Sequence, residues 1–205
     1  MYQALHATSL SLQQFIDAEI KADSFLFAPA APFRARGMMV SLNTPKEMEE
    51  NNQEGISLWL YRVIRDEQRL NDPPLRISAT QLRPPPLPLR LHYLVTPFTS
   101  RVNLGDPDTE QYLLGKVMQA LYTTPLLRGT NLRGELAGTD AQLHVRLETL
   151  ALDEMSRIWE ALEGTYQLAV SYEVAVVDID SASEPQNLTP VQEVIAEIGQ
   201  IVEVA

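Results

Sequence analysis

The chain contains no cysteine, which excludes disulfides, thiolate metal sites and cysteine nucleophiles. It has only three histidines, His6, His92 and His144. They are far apart in sequence, none has a partner at metal-ligand spacing, and each reads as a solvent-exposed side chain. No stretch approaches 18 uncharged apolar residues, so no segment is expected to cross or insert into a bilayer. The first residues show no basic patch followed by an apolar run, so no secretory leader is expected. The last missing feature is positional: after Arg157 there is no lysine, arginine or histidine at all.

What is present is acidic and moderately apolar. The 205 residues carry a net charge of −11 and are 45% apolar. A chain of this length buries roughly 70% of its unfolded surface, enough for a core without staples. The charge argues against nucleic acid as a partner. Its distribution says more than its sum. Nine acids follow Arg157, among them Glu193, Glu197 and Glu203. In the middle, Arg62, Arg65, Arg69, Arg76, Arg83, Arg90 and Arg101 face only Asp66, Glu67 and Asp72. The middle is basic and the end acidic.

Hydrophobic spacing predicts a helix over 3–22, with Leu5, Leu12, Phe15, Ile16 and Ile20 on one face. Strands are expected at 38–42 and 56–64, separated by a polar loop over 44–53. Residues 65–88 read as irregular, stiffened by Pro73-Pro74 and by Pro84-Pro85-Pro86 and Pro88. A strand follows in which Leu89, Leu91, Tyr93 and Val95 share one face, leaving Arg90 and His92 to the other. Asp106 and Pro107 open a helix whose buried stripe is expected to be Leu113, Leu114, Val117, Met118, Leu121 and Tyr122. Next come a strand around Leu143–Leu147, a short helix bearing Met155, Ile158, Trp159 and Leu162 and ending at Gly164, and a strand over Leu168–Val176. Trp59 and Trp159 lie on apolar stripes and read as core residues. The order predicts an α+β domain over 1–180, with a mixed or antiparallel sheet of about four to six strands and helices mainly on one face. Residues 181–205 read as a linker and a C-terminal amphipathic helix, opened by Thr189-Pro190-Val191-Gln192, that docks on a partner or on its own domain.

No catalytic, cofactor or metal motif survives inspection. Gly115-Lys116 lacks both the first glycine and the hydroxyl residue of a phosphate loop and sits within a helix stripe. Gly55-Ile56-Ser57 opens a strand where a nucleophile elbow would end one. Asp178-Ile179-Asp180 reads as the edge of a sheet. The expectation is a protein that is not an enzyme and takes no cofactor.

Several segments, in order, carry a resemblance: Ile56–Val63, Asn71-Asp72-Pro73-Pro74, Pro85–Leu89 running into Leu91–Thr96, Leu113–Leu121, Ile158–Leu162 and Ala169–Val174. Over about residues 5–180 the chain resembles the cap, or tube-terminator, proteins of extracellular contractile injection systems, which are phage-tail-like particles. The resemblance implies a tail-terminator-like fold and a structural role. The chain would end polymerisation of the inner tube and join it to the last sheath layer, as a homohexameric ring matched to a sixfold tube. Its partners would be itself, the tube protein and the terminal sheath subunits. It would be made and assembled in the cytoplasm as part of the particle, then released or membrane-anchored with it. The alternative is a monomeric adaptor acting through the proline-rich loop or the tail. A ring needs a surface of one subunit that docks a different surface of the next. The expected pairing sets Arg65, Arg69 and Arg76 against an acidic surface near Glu193, Glu197 and Glu203 of a neighbour or of the sheath.

Overall fold

The computed structural model describes residues 2–100 and 105–188. Among these the elements are α1 (Ala4–Ala22), α2 (Pro32–Ala35), β1 (Met39–Ser41), α3 (Pro45–Glu50), β2 (Gly55–Arg65), β3 (Leu75–Ser78), β4 (Gln81–Arg83), β5 (Leu87–Phe98), α4 (Pro107–Thr123), β6 (Leu126–Arg128), β7 (Gln142–Glu148), α5 (Leu152–Ala161), β8 (Val170–Ile179) and β9 (Gln186–Asn187). The main sheet has the order β1-β2-β5-β8-β7-β6, with only the β1–β2 pair parallel. A second sheet, β3-β4-β9, stands on the β2–β5 connection. The fold is the expected α+β arrangement with a mixed sheet.

The core lies between the sheet and the helices α1 and α4. Leu12, Ile16 and Ile20 of α1 and Leu113, Val117 and Leu121 of α4 meet Ile56, Leu58, Leu91, Tyr93, Val95, Val145 and Val174. Each of these large side chains is buried, and each contributes about 1.5–3 kcal/mol by leaving water. Strand alternation dictates the meeting: in β5, Leu89, Leu91, Tyr93 and Val95 all point to this face. The opposite face is only partly roofed. There α5 sets Met155 and Trp159 against Leu94, with Trp59 and Tyr61 beside them.

Two segments depart from expectation. The polar stretch 44–53 contains α3. Thr44 and Glu47 form a reciprocal capping box with Pro45 at the first turn, while Asn52 at φ 52° closes the helix through Asn52 N–H to Glu49 C=O and Gln53 N–H to Met48 C=O. The stretch 65–88 is a β3–β4 hairpin with a 3-10 turn at Glu67–Arg69 before it. Within the stretch expected as linker, Gln186–Asn187 pairs with β4; the expected C-terminal helix lies outside the described residues.

The strands also share a polarity. The start of β2, the end of β5, the end of β7 and the start of β8 lie together, as shown by the pairs Gly55↔Phe98, Val95↔Val170 and Glu148↔Ser171. α3 enters this end and α5 caps it. The small sheet stands at the other end, where Arg65 pairs with Leu89 and Leu87 with Ile179.

Candidate assembly surface

The three arginines expected at an interface have different surroundings. Arg65, the last residue of β2, is exposed, as is Arg76 in β3, whose guanidinium reaches the Ala79 carbonyl at 3.3 Å. Arg69 is committed inside the chain. Its guanidinium grips both carboxylate oxygens of Asp178 at 2.7 and 3.2 Å and bonds Asp72 at 3.0 Å. These pairs hold the guanidinium above its ordinary pKa, the Asp178 bonds foremost. Arg69 therefore ties the base of the hairpin to the end of β8, and Asp178, expected only as a sheet edge, is its partner. Glu193, Glu197 and Glu203 lie outside the described residues, so the structure does not place the acidic half of that pairing.

The hairpin is exposed on both faces. Leu75 and Ile77 are 52% and 49% exposed. Arg76, Gln81, Arg83, Gln186 and Asn187 are exposed as well. A three-stranded sheet this small with no covered face contributes nothing to the core and is marginal by itself in water.

On the open part of the second face the sheet carries a buried polar network that spacing alone did not reveal. His92, expected in solvent, is 3% exposed. Its Nδ1 lies 3.0 Å from Glu148 Oε2, which also accepts from Ser171 Oγ at 2.8 Å. Tyr61 stacks edge-on to the His92 ring and shares a hydrogen bond of 3.0 Å with Ser171. Next to them Glu173 accepts from Arg146 at 2.8 Å and sits 3.5 Å from Arg90, which donates to Asp66 at 2.9 Å. Register explains the grouping: His92, Glu173 and Arg146 are cross-strand neighbours on β5, β8 and β7. Burial alone would raise the Glu148 pKa, but the bonds from His92 and Ser171 hold it below the ordinary range. The Asp66 carboxyl is likewise held low by Arg90 and the Gln68 amide against the effect of burial. His6 and His144 are exposed, as expected.

His92, Glu148 and Glu173 could each turn one ligand atom toward a shared point, all within 4.8 Å of one another. Both carboxylates already carry donors, however, and two guanidinium groups face Glu173. That donor set fits an ion-pair network better than a cation site. The larger grooves lie elsewhere. One of about 510 Å³, open and apolar, runs between α4 and β7 along Met118, Leu121, Tyr122, Val145 and Leu147.

Residues 7–193 match the family model described as the Pvc16 N-terminal domain. The chain belongs to that family. The Pvc16-type fold recurs in two solved structures with TM-scores near 0.6. One is the sheath/tube terminator of the PVC extracellular contractile injection system in its extended state, at 19% identity and TM-score 0.60, matched over 96% of this chain and 65% of that one. The other is the tube-terminating cap of the anti-feeding prophage, at 18% identity and TM-score 0.59, matched over 97% of this chain and 61% of that one. The present chain thus spans less than two thirds of the length of either. No curated protein sequence matches it. Among the described residues no helix is long and apolar enough to cross a membrane.

Proposed function

We propose that the chain is the cap that ends the inner tube of a contractile injection system and joins it to the last sheath layer, assembling as a homohexameric ring. The observation that carries this reading is membership of the Pvc16 N-terminal domain family over residues 7–193, together with a fold shared with two tube terminators.

Two features of the fold suit a protein that ends a polymer. The edges of the main sheet are β1 and β6, each three residues long, and Gln13 of α1 reaches over to bond the Val40 carbonyl of β1 at 2.8 Å. Short, partly covered edges do not recruit further strands. The buried network pairs its acids with Arg90, Arg146 and His92, an arrangement that suits a scaffold. In this reading Arg65 and Arg76 belong to the docking surface, Arg69 positions it, and Glu193, Glu197 and Glu203 supply an acidic surface toward a neighbour or the sheath. The role is structural, without catalysis.

The test is tube growth in vitro. Substoichiometric full-length chain added to polymerising tube protein of the same particle should shorten the tubes, with label at one end only. Unchanged growth and a chain that stays monomeric with tubes present would instead favour the adaptor acting through the proline-rich loop or tail.

A further inference from the structure

The two ends of the main sheet differ in a way that assigns the contact between neighbouring copies. At one end stands the hairpin β3–β4. From Pro73 to Pro88 the chain holds Arg76 and Arg83 and no acid, and Leu75 and Ile77 are half-exposed. Among the described residues neither Arg76 nor Arg83 is in an ion pair with a carboxylate. Pro84, Pro85 and Pro86 fix the backbone at its root, and Arg69 with Asp178 anchors the other side, so the hairpin is held as a stiff arm.

The opposite end is its complement in both charge and polarity. On α3, Glu47, Glu49 and Glu50 are exposed; on α5 and the turn after it, Asp153, Glu154, Glu160 and Glu163 are exposed. Among the described residues Lys46 and Arg157 alone pair with them there, through Glu163 and Asp153. Three apolar side chains on α5 and the stretch after it are exposed: Leu152 at 72%, Tyr166 at 51% and Leu168 at 45%. Apolar groups with an acidic rim at one end thus answer apolar groups with a basic rim at the other.

These surfaces cannot meet within one molecule. β2 alone runs eleven residues from Gly55 at the acidic end to Arg65 at the arm end, a span of about 35 Å. Complementary patches on opposite ends make a heterologous contact, the kind that closes into a ring when the rotation per subunit allows.

We propose that the β3–β4 arm of one copy docks on the α3–α5 end of the next, with Leu75 and Ile77 against Leu152, Tyr166 and Leu168, and with Arg76 and Arg83 against Glu49, Glu50 and Glu160. The proposal rests on the ring reading and names its interface. Covering the arm in this way also supplies the packing that the three-stranded sheet lacks alone.

The test uses two full-length variants, an arm reversal (Arg76→Glu, Arg83→Glu) and an end reversal (Glu49→Lys, Glu50→Lys, Glu160→Lys). Each is followed by sedimentation velocity, alone and with purified inner tubes of the same particle. Each variant by itself should associate at least about tenfold more weakly than the parent, with stronger salt dependence lost. Mixed one to one, they should recover parental assembly. In an alternating ring half the contacts then join a reversed arm to a reversed end and the other half a parental arm to a parental end, so every contact is complementary in charge. Recovery on mixing also shows that both variants are folded. Parental assembly by either variant alone, or no recovery from two variants with parental melting temperatures, overturns the arm contact and leaves another surface or the tube as the arm's partner. A parent chain that remains monomeric on tubes would sink the ring reading itself, an outcome distinct from either of these.

Discussion

A Cβ atom on Gly55 would stand 2.0 Å from the carbonyl oxygen of Met39. Gly55 has φ 129° and is paired with Met39 in the parallel β1–β2 ladder, so both its backbone angle and its neighbour demand glycine. Gly55→Ala should therefore cost about 3 kcal/mol and loosen β1, as measured by urea unfolding. Gly115 is the contrast. It lies in α4 with nothing within 4 Å of an added Cβ, and Gly115→Ala should stabilise by about 1 kcal/mol. Effects of the same sign at both positions would contradict this assignment.

Arg90 serves two buried acids, Asp66 and Glu173, which are 5% and 7% exposed. Removing it leaves Asp66 without its guanidinium bond in a desolvated place and Glu173 with Arg146 alone. Arg90→Met should destabilise by about 3–5 kcal/mol in equilibrium denaturation. Arg157→Met, whose pair with Asp153 is mostly in solvent, should change stability by less than about 0.5 kcal/mol.

Several carboxyls share one direction of shift. Asp66, Glu148, Glu54, Asp106 and Asp23 are all held below their ordinary values by hydroxyl, guanidinium, ammonium, histidine or backbone donors, against burial. A depressed folded pKa gives stability that is present above the unfolded pKa and lost as pH falls through the folded one. Unfolding free energy should be flat from pH 7 to roughly pH 5 and fall steadily below it. In Arg90→Met the acid slope should be shallower, because Asp66 loses its main source of depression.

The chain ends of the arm make a separate prediction. Leu188 N–H donates to the Thr80 carbonyl at 2.7 Å, and Gln186–Asn187 completes the small sheet. Truncation after Asp180 should leave the melting temperature within a few degrees of the parent, since no core residue among the described ones is lost, yet speed tryptic cleavage after Arg76 severalfold. Truncation after Leu188 should leave that site as protected as in the full chain.

The core was legible wherever period-2 or period-3.6 spacing coincided with one apolar face. β5 announced Leu89, Leu91, Tyr93 and Val95, and α4 announced its cap at Asp106, which accepts from Thr109 N–H at 3.1 Å. The opposite face of the same strands misled. Alternation says only that Arg90 and His92 face away from Leu91, and a polar side chain facing away reads as solvent. Their burial depends on Glu173, Arg146 and Glu148 arriving from β7 and β8, more than fifty residues later, and no local pattern carries that register. α3 carries its own signature in the sequence: Thr44-Pro45-Lys46-Glu47 has the same capping pattern as the segment beginning at Thr189. At α5 the left-handed residue is Glu163, φ 53°, one position before the glycine expected to end the helix. The interface arginines divided for a similar reason. Arg69 looked like its neighbours in sequence, and only the return of β8 gave it Asp178.

The central claim is that this chain ends a tube. The most direct measurement is the length distribution of assembled particles by electron microscopy, with and without the gene. The account predicts overlong, irregular tubes with loosely attached sheath in the deletion, and uniform lengths restored when the gene is supplied. Particles of unchanged length and firm sheath attachment in the deletion would contradict it.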